Sequence, residues 1–318
     1  MSTDMSKSKS HDESSIIIIK PIEVIYPYKI GFNRIDIDEI NYINSIIVCL
    51  SNLSSLNEKI LKSGPDNDYI NLISSLAAKD NSYDEKIGNL RSDIVDYNSR
   101  GKNKPERNEK IIFITIKYLL ENYITKIQGT CDLIYEKYKK TCTICKTIDS
   151  YEDINIKFNF QNIIQQNLSK LEETKKITIE DCFTYYFNQI KNEKFNLSCK
   201  KCKKIQEHQL KLDKLPEILF CFLEYGQNFK YGYSFKEEIY LEDIKKKYIL
   251  SSFIVCEQFG EVHELYYSIV KDNSNYILYD GLKILENVNI TGILEKDKID
   301  VGEQIPFLLI YTEYNDNN

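Results

Sequence analysis

The order of patterns along the chain predicts an α+β fold. An amphipathic helical stretch comes early, a cysteine-bearing β segment follows, and strand-like runs fill the chain from Leu212 onward. The helical end is clearest at 41–53, where Ile43, Ile46, Ile47, Leu50 and Leu53 recur at the spacing of one helix face. The β end is clearest in LPEILFCFLEY, YILSSFIVCEQF, ELYYSIVK, NYILYDG and IPFLLIYTEY, apolar runs parted by short turns that suggest an antiparallel sheet.

Each element has a local reason. The opening MSTDMSKSKSHDES has no apolar core, so 1–20 reads as a disordered tail and not as a secretory signal. Ile16–Ile25 is rich in Ile and Val and reads as extended. Asp38 is the expected N-cap of the 41–53 helix. Leu61–Tyr69 carries Gly-Pro and reads as a turn, and Asn98–Glu109 reads as a polar loop. Ile111–Ile124 has strand-like composition, but its length and polar flanks favour a helix. In Tyr151–Phe160, apolar residues alternate with polar ones, as on a half-buried strand. Thr178–Ile190 reads as a helix with Thr178 as cap and Asp181 three residues on.

Composition excludes several function classes. The 318 residues suffice for one large or two small domains with a sizeable core. A net charge of −6 argues against a bulk nucleic-acid binder, and no direct nucleic-acid partner is expected. No apolar run approaches the ~18 residues of a membrane span, so no membrane role is expected. A nuclear or cytoplasmic setting follows, where thiols stay reduced. The 24 tyrosines and absent tryptophan are read as coding bias.

Nine cysteines are present, and four of them are paired in sequence. Cys142 and Cys145 form CTIC; Cys199 and Cys202 form CKKC. Two such pairs in a reducing compartment suggest one structural, tetrahedral zinc ion with no open coordination position. Lys200, Lys201, Lys203 and Lys204 would offset the negative charge of four thiolates. The alternative is four unliganded thiols or a site that has lost its metal; a redox role is disfavoured, because neither pair follows a strand-to-helix pattern. Cys49, Cys131, Cys182, Cys221 and Cys256 read as small buried hydrophobes.

Five stretches, in order, and a closing strand resemble the ubiquitin-specific proteases, spanning about 28–314. NYINSIIVCL (Asn41–Leu50) is similar to the family's Cys-Tyr-x-Asn-Ser-x-Leu-Gln-x-Leu helix. CTICKT resembles the first zinc knuckle, and TIEDCFTYYFNQIKNEKFNLSCKKCKK resembles the helix leading into the second. LDKLPEILFCFLEY resembles the Leu-Pro-x-x-Leu strand, with Glu224-Tyr225 where Lys-Arg is usual. ELYYSIVKDNSNYILYDGLKI resembles the histidine-box strand and the segment after it, and IPFLLIYTEY resembles the closing strand.

The resemblance implies a papain-like fold with a helical thumb at about 28–130, zinc-bearing fingers at about 138–215 and an antiparallel palm at about 212–318, within a domain at 21–318. It also implies a catalytic triad, which this chain does not keep. The nucleophile position is Asn41, whose amide cannot form an acyl-enzyme. The histidine position is Leu265; the orienting carboxylate is Asp280. His263 lies two residues before Leu265 and would need a β-bulge to substitute. Cys49 is eight residues from Asn41, about 12 Å along a helix, too far to stand in. Asp36, Asp38 and Glu39 would oppose a thiolate or oxyanion at that helix end. Gly31 is spaced ten residues before Asn41, against eight in the family pattern, and the family's Gln-Gln-Asp-x-x-Glu-Phe-Leu segment is eroded near Asn108–Ile114. The expected function is therefore an inactive binding or scaffold module. Its partner would be ubiquitin, a ubiquitin-like fold or a complex such as the spliceosomal tri-snRNP, whose inactive family branch GFNRIDIDEINYINSIIVCLSNLSSL resembles. The alternative is an active deubiquitinase with atypical catalytic residues.

Overall fold

The computed structural model describes residues 34–64, 68–77, 83–100, 111–142, 144–153, 156–166, 176–192, 194–225, 231–259, 263–279, 284–299 and 303–314. The tail at 1–20, the extended run Ile16–Ile25, Gly31 and Asp280 lie outside the described residues.

Helices come first: α1 (Arg34–Ser51), α2 (Ser54–Lys62), α3 (Asp68–Ala77), α4 (Tyr83–Arg100), α5 (Ile111–Leu119), which runs into a π-helical segment (Leu120–Ile124), and α6 (Cys131–Ile134). A mixed middle follows: β1 (Glu136–Thr141), β2 (Ile148–Asp153), β3 (Ile156–Asn159), α7 (Phe160–Gln166), β4 (Lys176–Thr178), α8 (Ile179–Asn192), β5 (Lys194–Ser198) and β6 (Ile205–Lys214). The rest is β7 (Ile218–Glu224), β8 (Gly232–Ser234), β9 (Glu238–Leu241), β10 (Lys246–Phe259), β11 (His263–Asp272), β12 (Asn275–Tyr279), β13 (Ile284–Leu285), α9 (Thr291–Leu294), β14 (Glu295–Lys296) and β15 (Gln304–Glu313).

Among the described residues the strands form three sheets. The large one runs β13-β12-β11-β10-β15-β7-β3, with β9 added on β10. The second runs β2-β1-β6-β5, and a small one runs β14-β8-β4. In the large sheet every pairing is antiparallel except β3 on β7, which is parallel.

Strand alternation divides the core between the two faces of the large sheet. On β7, Ile218, Phe220 and Phe222 join the helices α1 and α5 in one apolar cluster. Leu219, Cys221 and Leu223 point the other way, into a second cluster with α8. This is why β7 reads as a continuous apolar run and not as an alternation: it is covered on both sides. Each such buried Leu, Ile or Phe contributes about 1.5–3 kcal/mol relative to exposure.

Helix α1 supplies the stripe expected of it: Ile43, Ile46, Ile47, Leu50 and Leu53 are all buried. Its start differs from the sequence reading. The helix begins at Arg34, so Asp38 sits inside it and not at its cap. The thiol of Cys49, on the same helix, approaches the Phe253 carbonyl of β10 at 3.9 Å.

Other boundaries move as well. Leu61 and Lys62 close α2, Gly64 follows at φ +95°, and Asp68 and Tyr69 open α3, so the expected turn Leu61–Tyr69 begins and ends in helix. Asn98–Arg100 finish α4. The run Tyr151–Phe160 is not one strand. β2 ends at Asp153, β3 spans Ile156–Asn159, and Phe160 opens α7. Because β3 joins the large sheet, the range 138–215 is shared between the cysteine-bearing sheet and the main core.

Helix α8 starts as the sequence predicts. The Asp181 amide donates to Thr178 Oγ1 at 3.2 Å, and the Thr178 amide donates back to Asp181 Oδ2 at 3.1 Å. This reciprocal cap satisfies two amides at once. The helix is tied to β1 by Glu136, which is 1% exposed. The Tyr138 and Tyr186 hydroxyls donate to its Oε2 at 2.5 and 2.6 Å. Burial, then the Glu136 charge, pushes the Tyr186 hydroxyl well up.

Candidate functional site

Two places carry the candidate chemistry. The first is at the tip of the β2-β1-β6-β5 sheet. Cys142 and Cys145 lie in the turn between β1 and β2, and Cys199 and Cys202 in the turn between β5 and β6. Because β1 pairs with β6, the two hairpin tips meet. Cys142 Sγ is 3.7 Å from Cys202 Sγ, Cys145 Sγ is 3.6 Å from Cys199 Sγ, and all four sulfurs lie within 4.8 Å of one another.

The two turns are built alike. The Cys145 amide lies 3.4 Å from Cys142 Sγ, and the Cys202 amide lies 3.5 Å from Cys199 Sγ. The Lys146 and Lys203 amides each donate to the carbonyl four residues back, both at 2.9 Å. Lys146 and Lys203 both sit at φ 58°. The Cys145 and Cys202 amides thus each point at the first sulfur of their pair, and the lysine amides close the turns. The Thr147 hydroxyl, 3.2 Å from Cys145 Sγ, leads in lowering that thiol's pKa. A tetrahedral ion with metal–sulfur bonds of about 2.3 Å would hold its sulfurs about 3.8 Å apart. The four donors fit a metal ion with little rearrangement, and all four sequence-predicted ligands are brought together.

The second place is where α1 lies along β11. Ser45 Oγ donates to the Tyr266 carbonyl at 3.2 Å, and Val48 packs with Val270. Helix and strand therefore run in the same sense. Position 41 is seven residues past Arg34, beyond the first four amides that lack partners within a helix.

β11 presents two different faces. Tyr266 joins the cluster containing α1, and Val270 touches α1 directly, while Ile269 and Tyr267 belong to the opposite cluster. By alternation the half-buried Leu265 shares the face of Tyr267 and Ile269, away from α1. The pairing of β10 with β11 runs without a shift from Ser252↔Val270 to Phe259↔His263. No bulge moves His263 toward position 265, and the interval stays at about 7 Å.

The other thiols stay in the core. Cys49, Cys182, Cys221 and Cys256 are buried, while Cys131 is half-buried beside the Thr125 carbonyl. Burial pushes the Cys49 thiol up to about 12 and lifts Cys182 and Cys221 as well. Of the eroded segment near Asn108–Ile114, Ile112, Phe113 and Ile114 are core residues.

No protein-family model matches the sequence, and no curated protein does. Solved structures do match. An essential yeast splicing factor is 14% identical over 92% of this chain and 70% of its own, at a TM-score of 0.55. The SAGA Ubp8 DUB module is 12% identical over 87% and 67%, at 0.53. The Saccharomyces cerevisiae Pan2 pseudoubiquitin hydrolase–RNA exonuclease module is 12% identical over 86% and 53%, at 0.51.

The chain has the ubiquitin-specific protease fold. Its mixed α+β architecture, antiparallel sheets and four-cysteine cluster match that fold. The motif spacing of the cysteine pairs announced the four-cysteine cluster. The contact between α1 and β11 had no such signal, because which face of β11 meets α1 depends on packing and not on spacing.

Proposed function

We propose that this chain is a catalytically inactive module of the ubiquitin-specific protease fold that works by binding. One observation carries the reading: α1 continues unbroken through Asn41 beside a β11 face formed by Tyr266, Ser268 and Val270, so neither partner of a thiol–imidazole pair stands at their junction. The thiol that α1 does carry, Cys49, is 0% exposed and held protonated by burial. A nucleophile needs a thiolate that substrate can reach. Among the similar structures, Pan2 is itself described as a pseudoubiquitin hydrolase, which supports an inactive use of this fold.

We also assign zinc to Cys142, Cys145, Cys199 and Cys202 as a structural ion. When bound, it supplies cross-linking of the two hairpins and no reaction chemistry. Ubiquitin is the first partner to test, since the Ubp8 module has also been solved bound to monoubiquitin, at a TM-score of 0.50. The splicing-factor neighbour favours a nuclear protein complex such as the tri-snRNP as the second. Calorimetry with mono-ubiquitin, and purification of the chain with its partners from native cells, test the two. Heat with ubiquitin, or recovery of snRNP proteins, supports binding. Turnover of a ubiquitin–fluorophore substrate overturns the reading in favour of an active deubiquitinase.

A further inference from the structure

The meeting of the two cysteine turns creates a surface that neither sequence pair shows alone. Lys146 comes from the first turn; Lys200, Lys201, Lys203 and Lys204 come from the second, and all five are exposed. Beside them Ile144 is 52% exposed and Ile148 is 61% exposed. Four thiolates around a divalent ion carry two negative charges, so five ammonium groups exceed what the site needs for neutrality.

A second, independent observation concerns the backbone. Lys146 and Lys203 hold equivalent places in the two turns, both at φ 58°. Glycine adopts that conformation without steric cost, whereas lysine does not. Both turns carry the charged residue where the unstrained one would serve the backbone better. Strain kept twice at matched positions points to use of the side chains.

We propose that the fingertip is a docking surface for an acidic protein segment that also carries apolar side chains. The lysines give charge complementarity, and Ile144 with Ile148 gives an apolar anchor next to it. The same tip suits nucleic acid less well. The stretches CTICKTI and CKKCKK hold no aromatic residue for base stacking and no arginine for bidentate phosphate contact, and the whole chain is net negative.

The test uses the full chain and a fluorescein-labelled peptide of alternating glutamate and leucine, read by fluorescence anisotropy. A glutamine–leucine peptide and a single-stranded RNA serve as comparisons. The glutamate peptide is expected to bind best and to weaken as salt rises. Combined Lys200→Glu, Lys201→Glu and Lys204→Glu should weaken it about tenfold or more, as several surface charge pairs are lost together. Lys146→Gly with Lys203→Gly should keep or raise the melting temperature while weakening binding. Binding unchanged in the charge-reversed protein, preference for RNA, or a glycine variant that binds as the parent does would each overturn the proposal.

Discussion

Ser45 and Tyr266, 221 residues apart in sequence, are joined by a buried hydrogen bond of 3.2 Å from the serine hydroxyl to the tyrosine carbonyl. That bond fixes α1 on the large sheet one helical turn beyond position 41. It holds together the two elements on which the family resemblance places the nucleophile and histidine positions. Ser45→Ala removes this donor, at an expected cost of about 0.5–1.5 kcal/mol. Urea unfolding should show the loss as a lower midpoint with an unchanged slope.

The four-cysteine site should behave as one unit with two equivalent halves. Cys142→Ser and Cys199→Ser are each expected to abolish stoichiometric zinc, measured by elemental analysis. They should lower the melting temperature by similar amounts. Removing the metal with a strong chelator should do the same in the unaltered chain, since metal-binding free energy is folding free energy in such sites. A large difference between the two substitutions would contradict the matched geometry of the turns.

Buried thiols make the fold sensitive to alkali. Burial raises the Cys49 thiol from the ordinary value of 9.0 to about 12. A thiol whose folded pKa is raised contributes stability that is complete below pH 9 and is lost as pH climbs toward 12, because the unfolded chain releases the proton first. The slope for one such group is about 1.4 kcal/mol per pH unit. Cys49→Ala costs packing but removes this term, so its stability should fall less steeply over that window. Iodoacetamide at pH 8 should leave Cys49 unlabelled in the folded protein, as read by peptide mass spectrometry.

Restoring single catalytic residues is expected to fail. Asn41→Cys places a thiol two turns inside α1, past the amides that a helix end leaves free. Adding Leu265→His puts the imidazole on the strand face that packs away from α1. Neither the single nor the double variant should hydrolyse a ubiquitin–fluorophore substrate. Measurable turnover by either would show that this junction is closer to a working site than its geometry indicates.

Local chemistry made much of this structure legible in the sequence, and long-range packing hid the rest. The paired cysteines, the Thr178–Asp181 cap and the turn-bounded apolar runs of the C-terminal strands depend on neighbours within a few residues. The cysteines and the cap appear where the pattern places them, and the apolar runs from Leu212 onward appear as strands of the large sheet. The start of α1 was not legible: Asp38 is a good N-cap by type, yet the helix reaches back to Arg34. The break after Asp153 was equally hidden, because β3 leaves its neighbour to pair in parallel with β7, a partner some 60 residues on. The facing of Leu265 depends on which side of β11 meets a helix more than 200 residues earlier. Spacing alone cannot encode that choice.

The central claim is that no thiol in this chain is poised to attack the ubiquitin C-terminus. A ubiquitin probe with a C-terminal propargyl group tests it directly, since it forms a covalent adduct with an active-site cysteine of this fold. Incubation of the full chain with the probe, read by intact-mass spectrometry, should show only the unmodified protein, even where calorimetry shows ubiquitin binding. A mass increase of one ubiquitin, mapped to any of the nine cysteines, would contradict the account.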